Sequence, residues 1–245
     1  MLRQAFPSPP ERDMAVSHAI LRRVAQGAEP ETLRLHRPAA VVAFGPKDRL
    51  APGFPEAVAH ARSLGFGAVL RLAGGRAAVF HEGTLALSWA VPDPEPRART
   101  RERFEEAAGV LAEALRSLGV DARVGEVPGE YCPGEHSVNA RGTTKLAGLG
   151  QRLVAGGAHV GGVVVVRGGD RVREVLVPVY RALGLKWDPA TVGSVEDEVP
   201  GVTEEQVAGA ILERLAVRRE LQPGQVSSEA LVLAEALVPR HAVTV

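Results

Sequence analysis

Apolar residues recur along this chain in two rhythms, every third or fourth position in some stretches and every second in others. From Asp13 to about Gly27, Val16, Ile20 and Val24 fall on one stripe, with Met14, His18 and Leu21 beside it. A helix is expected there, capped by Asp13 and stopped by Gly27. Leu33-Arg34-Leu35-His36-Arg37 alternates and predicts a half-buried strand, and Val41-Val42-Ala43-Phe44 a second, ended by Gly45-Pro46. Residues 54–64 read as a helix with Pro55 in its first turn, and 67–72 as a strand. A long strand is expected over 84–91, then a stiff linker, Pro92-Asp93-Pro94-Glu95-Pro96. Phe104, Ala108, Leu111, Leu115 and Leu118 share one face of a helix that Gly119 ends. Residues 120–124 alternate again. Residues 149–154 and 159–167 predict paired strands joined through Gly156-Gly157. The remainder is helical: 172–183, a capping box Thr203-Glu204-Glu205-Gln206 leading into Val207, Ile211, Leu212 and Leu215, and 227–237. This order of elements predicts an α+β fold with a mixed, mostly antiparallel sheet flanked by helices.

Composition narrows the field. The chain has 245 residues, 45% hydrophobic and 24% charged, which suits a packed core. Its formal net charge is zero. A general nucleic-acid or anionic-membrane binder needs a basic excess, so neither partner is expected. One cysteine excludes an internal disulfide and a zinc site built on several thiolates. Glu196-Asp197-Glu198 lacks the spacing of a metal loop, and no metal is expected. The start, Met1 to Pro7, has no apolar core of a signal peptide, and the longest apolar run, residues 160–166, is too short to span a bilayer. A cytoplasmic location is the expectation.

The chemistry-bearing residues concentrate in 129–148, which hold the single thiol. Cys132 lies in a Tyr-Cys-Pro-Gly turn, with His136, Arg141 and Lys145 close in sequence. Free cysteines are commonly small buried hydrophobes. A thiol in an exposed turn beside basic groups is also what a nucleophile for acyl transfer requires. Lys145 reads either as one more solvated lysine or as a partly desolvated proton donor. Gly74-Gly75 reads as a tight hairpin or as bare peptide against which a ligand lies, and it matches neither a Walker loop nor a dinucleotide fingerprint. His81 ends a strand, where a histidine is structural or touches ligand. Residues 97–106 are most simply the wet side of a helix.

Four blocks resemble the superfamily of lipoate–protein ligases, octanoyltransferases and biotin–protein ligases. They are Asp13–Leu21, Leu33–Gly45 without its middle turn, Arg71–Val79, and Lys145-Leu146-Ala147-Gly148-Leu149-Gly150-Gln151-Arg152. The likeness runs from about Asp13 to Leu183. Arg76, where ATP-dependent ligases carry a third glycine, and the Tyr-Cys-Pro-Gly turn are similar to the cysteine-dependent octanoyl-[glycine cleavage H protein]:protein N-octanoyltransferases. His81 and His136 differ from that branch, and the interval from Arg141 to Lys145 is one residue longer.

The resemblance implies one catalytic domain over 1–245, with 172–245 as a helical extension packed on it. It implies an acyltransferase of protein lipoylation that moves an octanoyl or lipoyl group between carrier-protein lysines. Cys132 would carry a thioester and Lys145 would assist proton transfer. Arg71, Gly74, Gly75, Val79, His81, Ala147 and Gly148 would hold the substrate. No cofactor is required by this scheme, and the partners are the glycine cleavage H protein and lipoyl domains of 2-oxoacid dehydrogenases. Two alternatives stay open: an ATP-dependent lipoate ligase, which needs ATP and magnesium, and a non-catalytic binder of lipoyl domains or acyl chains.

Overall fold

A computed structural model describes residues 1–244. It is an α+β fold with two sheets rather than one. The elements run α1 (Arg12–Ala25), β1 (Thr32–His36), β2 (Val41–Phe44), α2 (Phe54–Ser63), β3 (Gly67–Leu70), β4 (Ala78–Phe80), β5 (Thr84–Pro92) and α3 (Thr100–Ser117). They continue β6 (Ala122–Val124), β7 (Val138–Ala140), β8 (Thr144–Val154), β9 (Gly157–Val165), α4 (Gly169–Ala182), α5 (Val195–Glu198), α6 (Glu204–Ala216) and α7 (Ser228–Leu237). The large sheet has the order β1-β5-β9-β8-β7-β6 and is antiparallel throughout. The small sheet, β3-β2-β4, is mixed: β2 runs parallel to β3 and antiparallel to β4.

Strand periodicity explains the layers. On β2 and β4, Val41, Ala43, Ala78 and Phe80 pack against Ala86 and Val163 of the large sheet. Their neighbours Val42 and Val79 point the other way, into a core shared with α2 and α4. The opposite face of the large sheet is covered by α3 and α6, and α7 packs on α1. The helices after residue 168 are therefore spread over three faces: α4 on α2, α6 on α3, α7 on α1.

Three expectations need correction. Residues 33–37 were expected to form a half-buried strand; every residue of β1 is buried, because α1 covers its second face. Arg34 is wholly enclosed there. It donates to the Asp13 carboxylate, to Ser17 Oγ (3.2 Å) and to the carbonyl of Gln4 (2.8 Å). Asp13 for its part lies inside the first turn of α1 and caps nothing. It accepts from Arg34 and from the Phe6 N–H (2.8 Å). β7 was not predicted; its pairing with β6 and β8 makes a strand of a segment too polar and too short to show a rhythm. The capping box at Thr203 and Gln206 is formed as expected. Among the described residues no helix is long and apolar enough to cross a membrane.

Candidate active site

The two glycines of the loop before β4 and the turn before β7 meet beside β8 of the large sheet. Cys132 is half-buried there and adopts a left-handed backbone, φ +44°. That region is uncommon for a residue with a Cβ, so the neighbours must hold it. They do so on both sides of the residue. Its N–H donates to Tyr180 Oη (3.0 Å), whose own proton goes to the carbonyl of Ala77 (3.0 Å). Its carbonyl accepts from Lys145 Nζ (2.8 Å). Burial raises the pKa of the Tyr180 phenol well above its ordinary value, so it remains a donor.

With its peptide fixed, Cys132 aims Sγ at the glycine loop. The sulfur accepts from the Arg76 N–H (3.1 Å) and lies 3.8 Å from Arg71 Nη1. Arg71 is itself held by the carbonyl of Arg76 (2.9 Å). Both groups point their N–H bonds at the sulfur. Gly75 is what allows the approach. At φ +112°, a Cβ there would stand 2.8 Å from Arg71 Nη1 and 2.9 Å from Cys132 Sγ. Gly75→Ala is expected to lower stability to urea by about 1–3 kcal/mol, the range for a non-glycine residue in such backbone. It is also expected to change the rate at which iodoacetamide alkylates Cys132. Unchanged values of both would mean that the loop relaxes freely.

Lys145 is 1% exposed on β8. Nζ donates to Glu130 Oε1 (3.1 Å) and to the carbonyls of Tyr131 (2.9 Å) and Cys132 (2.8 Å), and it lies 4.8 Å from the Tyr131 ring. Burial lowers its pKa; the charges of Glu130 and Cys132 and the Glu130 hydrogen bond oppose that shift. Cys132 and Lys145 thus come together through the backbone of the turn, and neither lines the apolar cavity between the sheets. All three N–H bonds of the ammonium are spent on protein oxygens.

Two spaces adjoin this point. An apolar cavity between the sheets is lined by residues that include Met14, Val41, Leu72, Phe80 and Ala86. Arg71 lines it as well and reaches from it to the sulfur. On the other side an open groove passes Gly74, Gly75, Cys132, His136, Phe104 and Gly150. His136 stacks on Phe104 in that groove (centroids 5.1 Å apart). The rim carries Lys47, Arg76, Arg97 and Arg101 against one acid, Glu135.

Three residues expected to hold substrate stand elsewhere. Val79 faces α2 and α4, and Phe80 is the β4 residue that lines the cavity. His81 is buried at the turn after β4, where Nδ1 accepts from the Gly83 N–H (3.0 Å) and the ring lies against Gly168. Ala147 packs on the α3 side of the sheet. Gly148 is beside the Lys145 stem, which a Cβ would meet at 3.2 Å. Gly74 ties the loop to β8 through Gln151 (3.2 Å). Sequence reasoning missed Glu130 and Tyr180. An acid flanking the cysteine turn was a visible signal for the first. A tyrosine 48 positions away gave none. Among the described residues no cluster of three or more His, Cys, Asp or Glu side chains is placed to hold a metal ion.

Comparison with known proteins places these features in context. A model described as the lipoyl protein ligase A/B catalytic domain matches residues 9–216. An octanoyl-[GcvH]:protein N-octanoyltransferase of Geobacillus kaustophilus is 29% identical over 192 residues, 78% of this chain and 67% of that protein. A lipoyl-[GcvH]:protein N-lipoyltransferase of Listeria monocytogenes is 26% identical over 196 residues, 76% of this chain and 70% of that one. The chain thus spans about two thirds of the length of these relatives. A crystal structure of lipoate-protein ligase A bound with ATP superposes with a TM-score of 0.78 at 20% identity, covering 98% of this chain and 93% of the other. At that identity the likeness is one of fold.

Proposed function

We propose that this chain, which belongs to the lipoyl protein ligase A/B catalytic-domain family, is an acyltransferase that moves an octanoyl or lipoyl group between carrier-protein lysines through a thioester on Cys132. The observation that carries this reading is the setting of one sulfur. Cys132 Sγ lines an open groove, accepts from the Arg76 N–H, and is reached by the Arg71 guanidinium, which itself lines the apolar cavity between the sheets.

The acyl chain of the donor occupies the cavity between the sheets. Burial of each methylene contributes about 0.8 kcal/mol. The donor's carrier domain stays outside, over the groove. The Cys132 thiolate attacks the carbonyl carbon of the acyl-lysine amide. The C–N bond breaks, the carrier lysine leaves as an amine, and the proton given up by the thiol ends on that nitrogen. The ε-amine of the acceptor lysine then attacks the thioester, and the thiolate returns. Arg71 and the Arg76 N–H hold the negative charge of the sulfur before attack and after departure. Lys145 fixes the turn and adds a positive charge beside it. The glycine cleavage H protein as donor and lipoyl domains of 2-oxoacid dehydrogenases as acceptors fit this scheme, and it puts the protein in the cytoplasm with its carriers. The scheme consumes no nucleotide.

The test uses the purified full chain, octanoylated H protein and an apo lipoyl domain, without ATP. Intact mass spectrometry is expected to show an octanoyl adduct on Cys132, and then octanoyl on the acceptor. Modification of the acceptor only when ATP and free lipoate or octanoate replace the acylated donor would overturn the proposal.

A further inference from the structure

We propose that Glu130 is a positioning residue for the reaction: its buried carboxylate binds Lys145 to the cysteine turn and so aims the thiol. The inference rests on the function proposed above for its effect on transfer, while its effect on the thiol itself needs no acyl donor.

Glu130 is the hub of residues 127–137. It is 3% exposed, between Gly129 and the tyrosine of the turn. Oε1 accepts from Lys145 Nζ (3.1 Å), the Gly134 N–H (3.0 Å) and Ser137 Oγ (2.6 Å). Oε2 accepts from the Val127 N–H (3.2 Å). One carboxylate thereby collects donors from both ends of the loop, from the far side of the turn and from β8. None of these hydrogen bonds goes to Cys132. The link passes through Lys145, whose other two N–H bonds grip the carbonyls of Tyr131 and Cys132.

A neutral amine cannot replace the ammonium in this arrangement. It has two N–H bonds for three oxygens, and it turns a lone pair toward one of them. The charge of Lys145 is therefore part of the geometry of the turn. Four charged or polarisable groups face it: the Glu130 carboxylate, the Cys132 thiol, the Arg71 guanidinium and the Tyr131 ring. Of these, Arg71 acts with burial to expel the proton. Glu130 is the carboxylate in contact with Nζ that opposes both. Glu130→Gln keeps the shape of the side chain and removes that opposition. Lys145 then sheds its proton at a lower pH, and the turn loses one of its two clamps.

Cys132 is the single cysteine of the chain, so alkylation of the whole protein reports on it alone. The rate with iodoacetamide is measured from pH 6 to pH 9 for the unchanged protein and for Glu130→Gln. The expected result is a ratio of variant to unchanged rate that falls at least fivefold across this range, since the variant is closest to normal where Lys145 is reprotonated. A ratio that is flat with pH, whether near one or uniformly low, would mean that Glu130 is only a structural support, and would overturn the inference. Glu130→Asp keeps the charge one methylene short. It is expected to give a flat ratio with pH, and a ratio falling as in Glu130→Gln would overturn the inference. This variant decides the matter if Glu130→Gln does not fold. In the transfer assay Glu130→Gln is expected to lower kcat at pH 8 about tenfold with KM for the acceptor unchanged. If octanoylated H protein leaves no adduct on Cys132 in the unchanged protein, the function proposed above fails, and the alkylation profiles still decide the role of Glu130.

Discussion

Cys132→Ala is expected to lower acyl transfer from octanoylated H protein to an apo lipoyl domain by at least about 10³-fold, the scale on which loss of a covalent nucleophile acts. The fold should hardly change. Sγ is half-buried, it makes its contacts with one N–H and one guanidinium, and alanine has no greater difficulty than cysteine with the left-handed backbone at this position. Melting temperatures of the two proteins should agree within a few degrees, while the adduct on the protein disappears. Cys132→Ser retains a hydroxyl where the thiol was. A hydroxyl is far less acidic than a thiol, and an N–H and a guanidinium beside it do little to ionise it. It should therefore be nearly as inactive as the alanine variant. Initial rates from mass spectra of the acceptor check both. Residual transfer above a few per cent in Cys132→Ala would show that sulfur does not carry the acyl group.

The second large effect concerns stability and acid. Five of the seven histidines are buried: His18, His36, His81, His159 and His241. Burial lowers each of them, His18 from 6.5 to about 4 and His159 from 6.5 to about 3, and His36, His81 and His241 in the same direction. His18 is held in a chain of bonds: its Nδ1 is 3.1 Å from His241 Nε2, and His241 Nδ1 donates to the carbonyl of Leu70 (2.8 Å). His159 Nε2 bonds Ser88 Oγ (2.9 Å). A proton added to His159 Nδ1 finds no acceptor, and one added to His18 sets a charge beside His241, Arg22 and Arg152. Below pH 6.5 the unfolded chain takes up protons that the folded chain refuses, so stability falls as pH falls, and it is flat above about pH 7.5. At about 1.4 kcal/mol per pH unit and group, His18 and His159 alone withdraw about 4 kcal/mol by pH 5. Total stabilities run to about 5–15 kcal/mol, so an acid transition near pH 4–5 is expected. Circular dichroism at 222 nm against pH, with proton uptake measured on unfolding, checks this. Stability to urea that is level from pH 7.5 to pH 5 would show that these rings accept protons in place.

Much of the fold was legible in the sequence because its signals are local. The stripe of α1, the apolar runs of β5 and β9, and the capping box of α6 each declare themselves within a few residues. Division into two sheets did not, since the partners of a strand are chosen by chain segments far away. Val79 shows the same limit at the level of one residue. Alternation says that Val79 and Phe80 face opposite ways, and only the packed layers say which of the two faces the cavity. The candidate site was legible in its parts and not in its wiring. Cys132, Lys145, Arg71 and the two glycines stand in recognisable blocks. That Lys145 is enclosed, with every N–H spent, follows from Glu130 and from two carbonyls of the turn, which no pattern of side-chain types announces.

The hydroxyl of Tyr180 has a consequence for the order in which the protein acquires its chemistry. The cysteine turn and the lysine strand are made first. The bond that fixes the Cys132 N–H comes from a residue 48 positions later, on a helix that must also dock on α2. At about 5–20 residues per second, several seconds of synthesis separate the two. During that interval a nascent chain carries the whole recognisable motif with an unaimed thiol. On the proposed mechanism the thiol is aimed only when α4 has closed over the small sheet, so reactivity would wait on the docking of that helix.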